Sequence, residues 1–443
     1  MDRLSHLPDD LLIKILSFVP TKDSVSMSIL SKRWLSLWTL VPRLIFDDYS
    51  EEDSDEDDEE GNEKNHHGTS SLSQFVSGTL LLHKAPALET FHLNSCSECS
   101  ASQIGLWVRI AVDRFVRDLK ISFYYDHGLV SLPSRLFRCE TLESLELNRV
   151  ILLDVPSSQF SFRSLVKLRL LSVVYSDDES FSRLISNCPV LEDLVVETCP
   201  QDNVATFTVD LPSLQSLFVG NTVRESPPDD HMFVIHSQSL KRLNIVDYFG
   251  ELNLIGNFHE LLEANLQSMS YHANVLESFS FVRRLRVCLA DEARYPRGTV
   301  LFQLVRLELC SCDDCWTNMF VSLLQHSPKL QALKLVQDHG MRMYRKVRWI
   351  QPRHVPECLL LHLKTFEWRD YEGTEVEKEV AVYVLNNAKR LVTATIYPFS
   401  VSLVRKRKMF EEVEMATRSS RACELTMGWK LNLTRGGDSL FYH

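Results

Sequence analysis

The sequence predicts an α/β protein in which a solenoid of repeated strand units is preceded by a small all-α unit and closed by an α+β module. Three observations lead to this prediction. The first forty or so residues have the spacing of short amphipathic helices, a phrase of the form Leu-x-x-Leu-x-apolar recurs from residue 141, and the last eighty or so residues follow a strand, turn, helix and strand pattern. A chain of 443 residues is also too long for one ordinary core.

The N-terminal stretch predicts three short helices. Pro8 suits a first helical turn, Pro20 ends the first helix, Thr21 can cap a second, and Ser31 can cap a third that carries Trp34. The apolar residues of the first helix recur on one face and are Leu11, Leu12, Ile15, Leu16 and Val19. Because so small a unit exposes more apolar surface than it can bury alone, we expect part of that surface to contact a partner.

The acidic residues of the chain are concentrated in one segment. Residues 47–60 hold eleven Asp or Glu and no Lys or Arg, and the 48 acidic residues that remain of 59 equal the 48 basic residues. The rest of the chain is therefore formally neutral, which disfavours a nucleic-acid partner. The segment itself is typical of a solvated, disordered linker, and an acidic docking tail for a basic partner is the alternative.

The bulk composition is that of a soluble globular protein, with 44% hydrophobic and 24% charged residues. No apolar run approaches the roughly 18 residues that a membrane helix needs, so we expect no membrane association. The N-terminus lacks the features of a signal peptide, which predicts a cytoplasmic or nuclear protein.

The repeated phrase predicts the solenoid. It occurs at 141–147, 164–170, 190–196, 213–219 and 239–245, in steps of 23 or 26 residues, which lie in the range of leucine-rich repeats, and fainter copies follow at 282–287, 304–309 and 330–335. Stacked units bury each other's leucines, so we predict that these are buried: Leu142, Leu145, Leu165, Leu168, Leu191, Leu194, Leu214, Leu217, Leu240 and Leu243. The residues between them should point outward and form a surface for a partner.

The C-terminal module is predicted from residues 355–396. They indicate a strand, a turn at Gly373, a helix over Glu375–Asn387 and a second strand, which together could cover the open end of the solenoid. A basic run at 405–408 starts another helix, whose basic face is either solvated or a nuclear-import signal.

Metal, cofactor and catalytic sites are not predicted. Cys96 and Cys99 lie more than 200 residues before Cys310, Cys312 and Cys315, and neither group has the paired His that would complete a tetrahedral zinc site. The eleven cysteines are therefore expected to be small buried residues with reduced thiols. The chain contains no Gly-rich phosphate loop, no His-Glu-x-x-His and no Gly-x-Ser-x-Gly. We expect a protein that is not an enzyme and needs no cofactor.

The N-terminal phrases LPDDLL, ILSFVPTKD and LSKRW stand in the order and at the spacing of the F-box, which they resemble. An ordinary amphipathic start to a globular domain is the alternative. The resemblance implies that the stretch binds a Skp-type adaptor, and through it a cullin-RING ubiquitin ligase. The residues implied in adaptor binding are Leu7, Pro8, Leu11, Leu12, Ile15, Leu16, Leu30 and Trp34.

The C-terminal phrases VPECLL, HLKTFEW and LNNAKRL resemble the FBD module of plant F-box proteins with leucine-rich repeats. The two resemblances together imply four segments: an F-box at 1–45, an acidic linker at 46–71, a leucine-rich-repeat solenoid at 72–350 and an FBD module at 351–430. They imply a substrate-recognition subunit of a ubiquitin ligase that holds an unknown protein target. A small-molecule-dependent receptor on the same solenoid and a binding scaffold without a ligase remain alternatives.

Overall fold

A computed structural model describes residues 7–29, 31–47, 69–95, 99–123, 129–149, 151–157, 160–199, 203–221, 231–271, 275–289, 300–312, 316–337, 347–399 and 402–428. The core of the acidic segment, with Leu30, Cys96 and Cys315, lies outside these residues. No helix within these ranges is long and apolar enough to cross a membrane.

The chain divides into two compact units, of which the first is Met1–Leu214. Its helices are α1 (Asp9–Leu16), α2 (Thr21–Ser26), α3 (Trp34–Leu37), α4 (Thr69–Leu82), α5 (Ala101–Asp113) and α6 (Ser180–Ser186). Its strands are β1 (Arg43–Asp47), β2 (Thr90–Ser95), β3 (Asp118–Phe123), β4 (Val130–Ser131), β5 (Ser144–Asn148), β6 (Ile151–Leu153), β7 (Lys167–Leu171), β8 (Val174–Tyr175), β9 (Asp193–Thr198) and β10 (Thr206–Val209).

The second unit is Gln215–His443. Its strands are β11 (Ser216–Asn221), β12 (Met232–Ile235), β13 (Arg242–Leu254), β14 (Glu263–Tyr271), β15 (Arg284–Leu289), β16 (Arg306–Cys310), β17 (Ala332–Val336), β18 (Thr365–Tyr371), β19 (Thr393–Pro398) and β20 (Glu424–Met427). Its helices are α7 (Trp316–His326), α8 (Glu357–Leu361), α9 (Glu375–Asn387) and α10 (Leu403–Glu414).

Parallel pairing of consecutive repeat strands builds the sheet of the first unit. The order is β1, β2, β3, β5, β7 and β9, and the short strands β4, β6 and β8 form a separate parallel sheet. The register places one apolar side chain of each strand in a common row, which consists of Leu44, Phe91, Leu119, Leu145, Leu168 and Leu194. Each strand therefore covers the leucine of its neighbour, as a solenoid requires.

The second unit repeats this construction. Strands β11 and β13 to β20 pair in parallel in chain order, and β12 pairs with the second half of β13. The ten leucines predicted to be buried are each at most 2% exposed, which confirms the prediction. The polar residues between them, such as Lys167 and Arg242, are partly or fully exposed.

The sequence between the repeated phrases has helical patterns, as in SFSRLISNCPVLEDL and MFVSLLQHSPKLQAL, but the segments there are less helical than these patterns predict. Helices α6 and α7 occupy two of the predicted positions, but 3₁₀ turns at Ser134–Arg138 and Val275–Phe279 and the short strands β4, β6 and β8 occupy others. A step of 22 to 26 residues leaves little chain to return from one strand to the next. A 3₁₀ turn or short strand completes that return with fewer residues than an α-helix and its two caps need.

The first repeat strand directly follows the three N-terminal helices. Strand β1 begins at Arg43, three residues after Leu40, and pairs with β2 over its whole length. It spans the predicted boundary at residue 45, and α4 begins at Thr69, before the predicted end of the linker. Along the chain, the acidic segment therefore follows β1 and precedes α4.

Helix α9 of the C-terminal module has the bounds that the sequence predicts, and the turn before it depends on a glycine. Helix α9 spans Glu375–Asn387. Gly373 has a φ of +73°, and a Cβ atom there would lie 3.0 Å from Cγ of Met409. Both the left-handed backbone and the close side chain of α10 therefore favour glycine.

Replacing Gly373 with alanine is expected to destabilise the chain by more than about 1 kcal/mol, because the new side chain meets both the backbone strain and Met409. The measurement is the free energy of unfolding in urea. Gly78→Ala is the matched control: a Cβ atom at this position in α4 meets no atom within 4 Å, so this change should be neutral or stabilising. Equal losses in the two variants would contradict the assignment of strain to Gly373.

Candidate functional site

The three N-terminal helices enclose a small apolar core of their own. This core consists of Leu12, Leu16, Trp34, Leu37, Trp38 and Val41, and Leu7, Ile13, Val25 and Met27 pack against it. Leu12 and Leu16 are at most 1% exposed and Trp34 is 5% exposed. These side chains hold α1, α2 and α3 together.

Arg33 fixes the start of α1 to the start of α3. Its Nε donates to Oδ1 of Asp9 at 2.9 Å, and its Nη2 donates to the backbone oxygen of Leu7 at 2.5 Å. Asp9 and Asp10 lie in the first turn of α1, where a negative charge is favourable to the helix dipole. The arginine of the LSKRW phrase thereby orients the first helix.

A second face of α1, next to the one that packs in the core, leaves a strip of apolar side chains in solvent that continues into the turn after the helix. Leu11, Ile15 and Phe18 follow one another at i, i+4 and i+7 and are 48%, 39% and 74% exposed. Ile29, in the 3₁₀ turn after α2, and Leu35, on α3, are also exposed. An exposed apolar strip on a rigid helical support is typical of a surface that contacts another protein. We call Leu11, Ile15 and Phe18 the α1 strip.

The predicted adaptor-binding residues divide between the two faces. Leu12, Leu16 and Trp34 lie in the core, while Leu11, Ile15 and Pro8 are exposed and Leu7 is half-buried. Leu30 lies outside the described residues. Phe18, Ile29 and Leu35 were not among the residues predicted from the sequence. The signal for Phe18 is its helical spacing from Leu11 and Ile15, which continues past the last turn of α1.

Hydrogen bonds fix the three helices to the first repeat strands. The buried Thr21 Oγ1 accepts from the backbone N–H of Ile45 at 2.7 Å. The backbone oxygen of Thr39 accepts from the N–H groups of Lys84 at 2.7 Å and Ala85 at 3.1 Å. The helices and the sheet of the first unit are therefore one connected structure.

His83 adds a buried polar link at the same place. Its Nε2 lies 2.7 Å from the backbone oxygen of Val41, and Nη1 of Arg114 lies 2.8 Å from its Nδ1. A neutral imidazole with its proton on Nε2 satisfies both contacts. Burial lowers the pKa of His83, and the charge of Arg114 acts in the same direction, so the neutral form is favoured.

On the outward face of the second unit, positive and negative side chains alternate across neighbouring strands. Glu308 on β16 lies 3.4 Å from Arg286 on β15 and 3.1 Å from Lys334 on β17. All three side chains are between 11% and 13% exposed, because they cover one another. Arg286 and Lys334 thus share Glu308, and both cations of this group are already engaged by its carboxylate rather than available to an anion.

The C-terminal module contains a buried carboxylate at the start of α9. Glu377 accepts from the backbone N–H groups of Thr374 at 3.0 Å and Glu372 at 3.1 Å, while Oγ1 of Thr374 accepts from the N–H of Glu377. This is a capping box. Burial raises the pKa of Glu377 to about 7 in spite of these hydrogen bonds, and the charge of Glu372 adds to the shift.

Stability is therefore expected to depend on the ionisation of Glu377. The folded chain holds this proton more tightly than the unfolded chain, whose pKa is near 4.5, so stability is lost as the pH rises from 4.5 through about 7. Glu377→Gln should reduce the loss of unfolding free energy between about pH 5 and 8 by on the order of 2 kcal/mol. Urea unfolding at both pH values tests this, with the exposed Glu375→Gln as control. An unchanged pH dependence in Glu377→Gln would contradict it.

Three cysteines come together in the second unit. Sγ of Cys288 lies 3.3 Å from Sγ of Cys312, and the sulfur atoms of Cys288, Cys310 and Cys312 all lie within 4.8 Å of one another. The neighbouring thiols raise the pKa of Cys288, and burial raises it further. The prediction from spacing along the chain did not place Cys288 in this group. The register of the repeats could have found it, because Leu285 on β15 pairs with Leu307 on β16 and each cysteine follows three residues later.

Comparison with known protein families matches three parts of the chain. The F-box domain matches residues 4–46, a family of leucine-rich repeats described as "FBD-associated F-box protein At5g56370, LRR repeats" matches residues 104–254, and the FBD matches residues 351–396. The first match covers α1 to α3 and most of β1, and the last covers α8, β18, α9 and part of β19.

Relatives from Arabidopsis thaliana are similar over nearly the whole chain. "F-box/FBD/LRR-repeat protein At5g56420" is 44% identical over 431 residues, which cover 96% of this chain and 98% of the relative. "F-box/FBD/LRR-repeat protein At4g26340" is 40% identical, covering 96% of this chain and 99% of the relative. "FBD-associated F-box protein At5g56370" is 38% identical, covering 97% of this chain and 100% of the relative.

Proposed function

The chain belongs to the F-box/FBD/LRR-repeat family, and from this premise we propose that it is the substrate-recognition subunit of a Skp-cullin-F-box ubiquitin ligase. In this proposal the α1 strip docks on the Skp-type adaptor, and the outward faces of the repeat strands with the C-terminal module hold a target protein. The observation that carries the proposal is the exposure of Leu11, Ile15 and Phe18 on helices whose own core is already filled.

The proposed role is not catalytic. The chain increases the rate of ubiquitin transfer by holding the target near the ubiquitin-carrying enzyme, which raises the effective concentration of target lysines. The connected structure of the helices and the first sheet supports this role. Thr21 and Thr39 transmit the position of the docked helices to β1 and to the chain after α4 through hydrogen bonds.

The charge pattern of the repeat face favours a protein target over a small anionic ligand. A receptor for an anionic small molecule needs several basic side chains that are available to the ligand. Arg286 and Lys334 instead share Glu308, and Arg284 lies 2.5 Å from Glu263. Paired charges of both signs suit a polar protein surface, because charged side chains of the target can replace the partners in these ion pairs one for one.

Affinity purification with a point variant tests the proposal more sharply than a deletion. Removing residues 1–40 would also remove the hydrogen bonds of Thr21 and Thr39 to the sheet, and so could disturb the repeats. Leu11→Asp with Ile15→Asp changes only exposed side chains. We expect the intact chain to recover adaptor, cullin and target, and the double variant to recover target alone. Lys14→Ala, exposed on the same helix, is the matched control and should behave as the intact chain.

Two outcomes would select the alternatives. If a well-folded intact chain recovers no adaptor, the proposal fails and the chain is a binding scaffold without a ligase. If the target is recovered only after a small-molecule extract is added back, the receptor alternative is selected. Equal adaptor recovery by the intact chain and the double variant would contradict docking through the α1 strip.

A further inference from the structure

The three-cysteine cluster is built by neighbouring strands of the second unit and does not overlap the proposed docking surface. Cys288 lies on β15, beside Gln267 of β14, and Cys310 is the last residue of β16, beside Val336 of β17. The backbone N–H of Ser311 donates to the oxygen of Val336 at 2.8 Å as β16 ends. Cys312 follows, and its sulfur contacts that of Cys288. Two of the three sulfur atoms thus belong to residues of paired strands, and the third belongs to a residue two positions after the end of β16.

The sulfur positions can be compared with those around a bound metal ion. Zinc binds thiolate sulfur at about 2.3 Å in tetrahedral geometry, which places two ligand sulfurs about 3.8 Å apart. Sγ of Cys288 lies 3.3 Å from Sγ of Cys312, and no two of the three sulfurs are more than 4.8 Å apart, a range that includes this value. Small changes in side-chain torsion angles would therefore bring all three sulfurs to one ion without moving the strands.

We propose that Cys288, Cys310 and Cys312 bind one thiophilic divalent metal ion, of which Zn²⁺ is the type, through three thiolates. Sulfur-only donors select zinc and other soft ions over Mg²⁺ and Ca²⁺. Cys288 and Cys310 are 7% and 6% exposed, while Cys312 is only half-buried, so we assign the fourth coordination position to a solvent molecule on the side of Cys312. The ion replaces three thiol protons, which pass to solvent. The proposal departs from the prediction from spacing, which was that Cys310, Cys312 and Cys315 form no metal site and which did not consider Cys288.

Binding should also stabilise the second unit. The three ligands come from β15, from β16 and from the residues after it, so the ion links two neighbouring repeats. An ion that binds the folded chain more tightly than the unfolded chain raises its melting temperature. The ion should not stabilise the chain through a buried cysteine that lies alone. Cys188 is an example, since it is fully buried and its thiol lies 3.2 Å from the backbone oxygen of Leu184.

The test uses the full-length chain, reduced and stripped of metal with a chelator. Zn²⁺ is titrated in competition with a chromophoric chelator, and Cd²⁺ is titrated separately, with its thiolate charge-transfer absorption as a direct sign of sulfur ligation. We expect one equivalent of metal per chain and a rise in melting temperature with Zn²⁺. Cys310→Ser and Cys312→Ser should each weaken binding at least about a hundredfold, beyond the roughly 10- to 100-fold that loss of an outer-shell partner costs. Cys188→Ser should bind as the wild type does.

Three results would overturn the assignment. The first is a wild-type chain that binds no Zn²⁺ while alkylation shows Cys288, Cys310 and Cys312 to be reduced. The second is binding that none of the cluster variants weakens. The third is a disulfide between Cys288 and Cys312 that forms in air and resists mild reductant, because these two sulfurs would then be a structural cross-link. Since the wild-type titration decides the first result by itself, poor folding of a variant does not prevent a conclusion.

Discussion

Truncation of Leu11 and Ile15 to alanine is expected to weaken adaptor binding about thirtyfold or more while the chain stays folded. Central apolar anchors of an interface typically cost about 2 kcal/mol each when truncated, and 2 kcal/mol corresponds to about thirtyfold in the dissociation constant. Both side chains lie in the α1 strip and outside the core of the helices, so their loss should leave folding unchanged. The measurement is a titration of purified adaptor against each variant, with thermal unfolding of each alongside.

The neighbouring Leu12 provides the matched control. It is fully buried, so Leu12→Ala should lower the melting temperature, and any loss of binding should follow the loss of folded helices. The pair Leu7→Ala with Pro8→Ala should weaken binding to a similar degree, but with some loss of stability, because Leu7 packs against the core. If the variant with both alanines binds the adaptor as tightly as the wild type, docking through the α1 strip is contradicted, although the family membership still stands.

Replacing Leu168 with alanine is expected to cost roughly 2–5 kcal/mol in the free energy of unfolding. Leu168 is fully buried and lies in the row between Leu145 and Leu194, so truncation leaves a cavity between three repeats. Chemical denaturation monitored by circular dichroism measures the loss. Lys167→Ala is the matched control: it lies next to Leu168 on the same strand, points outward and is exposed, so its effect should stay within about 0.5 kcal/mol. Similar losses in the two variants would contradict the alternation of buried and outward residues.

The leucine rows and the C-terminal helix could be predicted because their signals are local. In Leu-x-x-Leu-x-apolar, the second leucine and the apolar residue that ends the phrase fall on one side of a strand and become buried when units stack, as Leu145 and Leu147 do. Helix α9 carries both of its ends in the sequence: Thr374 and Glu377 form its capping box, and Asn387 is its last residue. For these two features the environment of each residue depends on nearby residues of the chain, and the sequence was sufficient.

The remaining features depend on contacts between distant parts of the chain. Cys288 joins Cys310 and Cys312 only because two strands align, and no spacing within one repeat contains that information. The first strand escaped prediction because Leu44 and Phe46 precede the acidic segment, and their partners Phe91 and Leu93 follow it. Which of Leu11 and Leu12 becomes buried is decided by Trp34 and Trp38, which pack against one side of α1.

The position of β1 gives the chain an asymmetric tolerance to changes in length. Insertions between Asp47 and Thr69 only lengthen the chain between β1 and α4, so many residues could be added there at little cost. One residue added between Leu40 and Arg43 would shift β1 against β2, and would turn Leu44 and Phe46 away from the buried rows. Changes in the length of the acidic segment are thus expected to be tolerated, while the length of the junction between Leu40 and Arg43 fixes how the three N-terminal helices join the repeat strands.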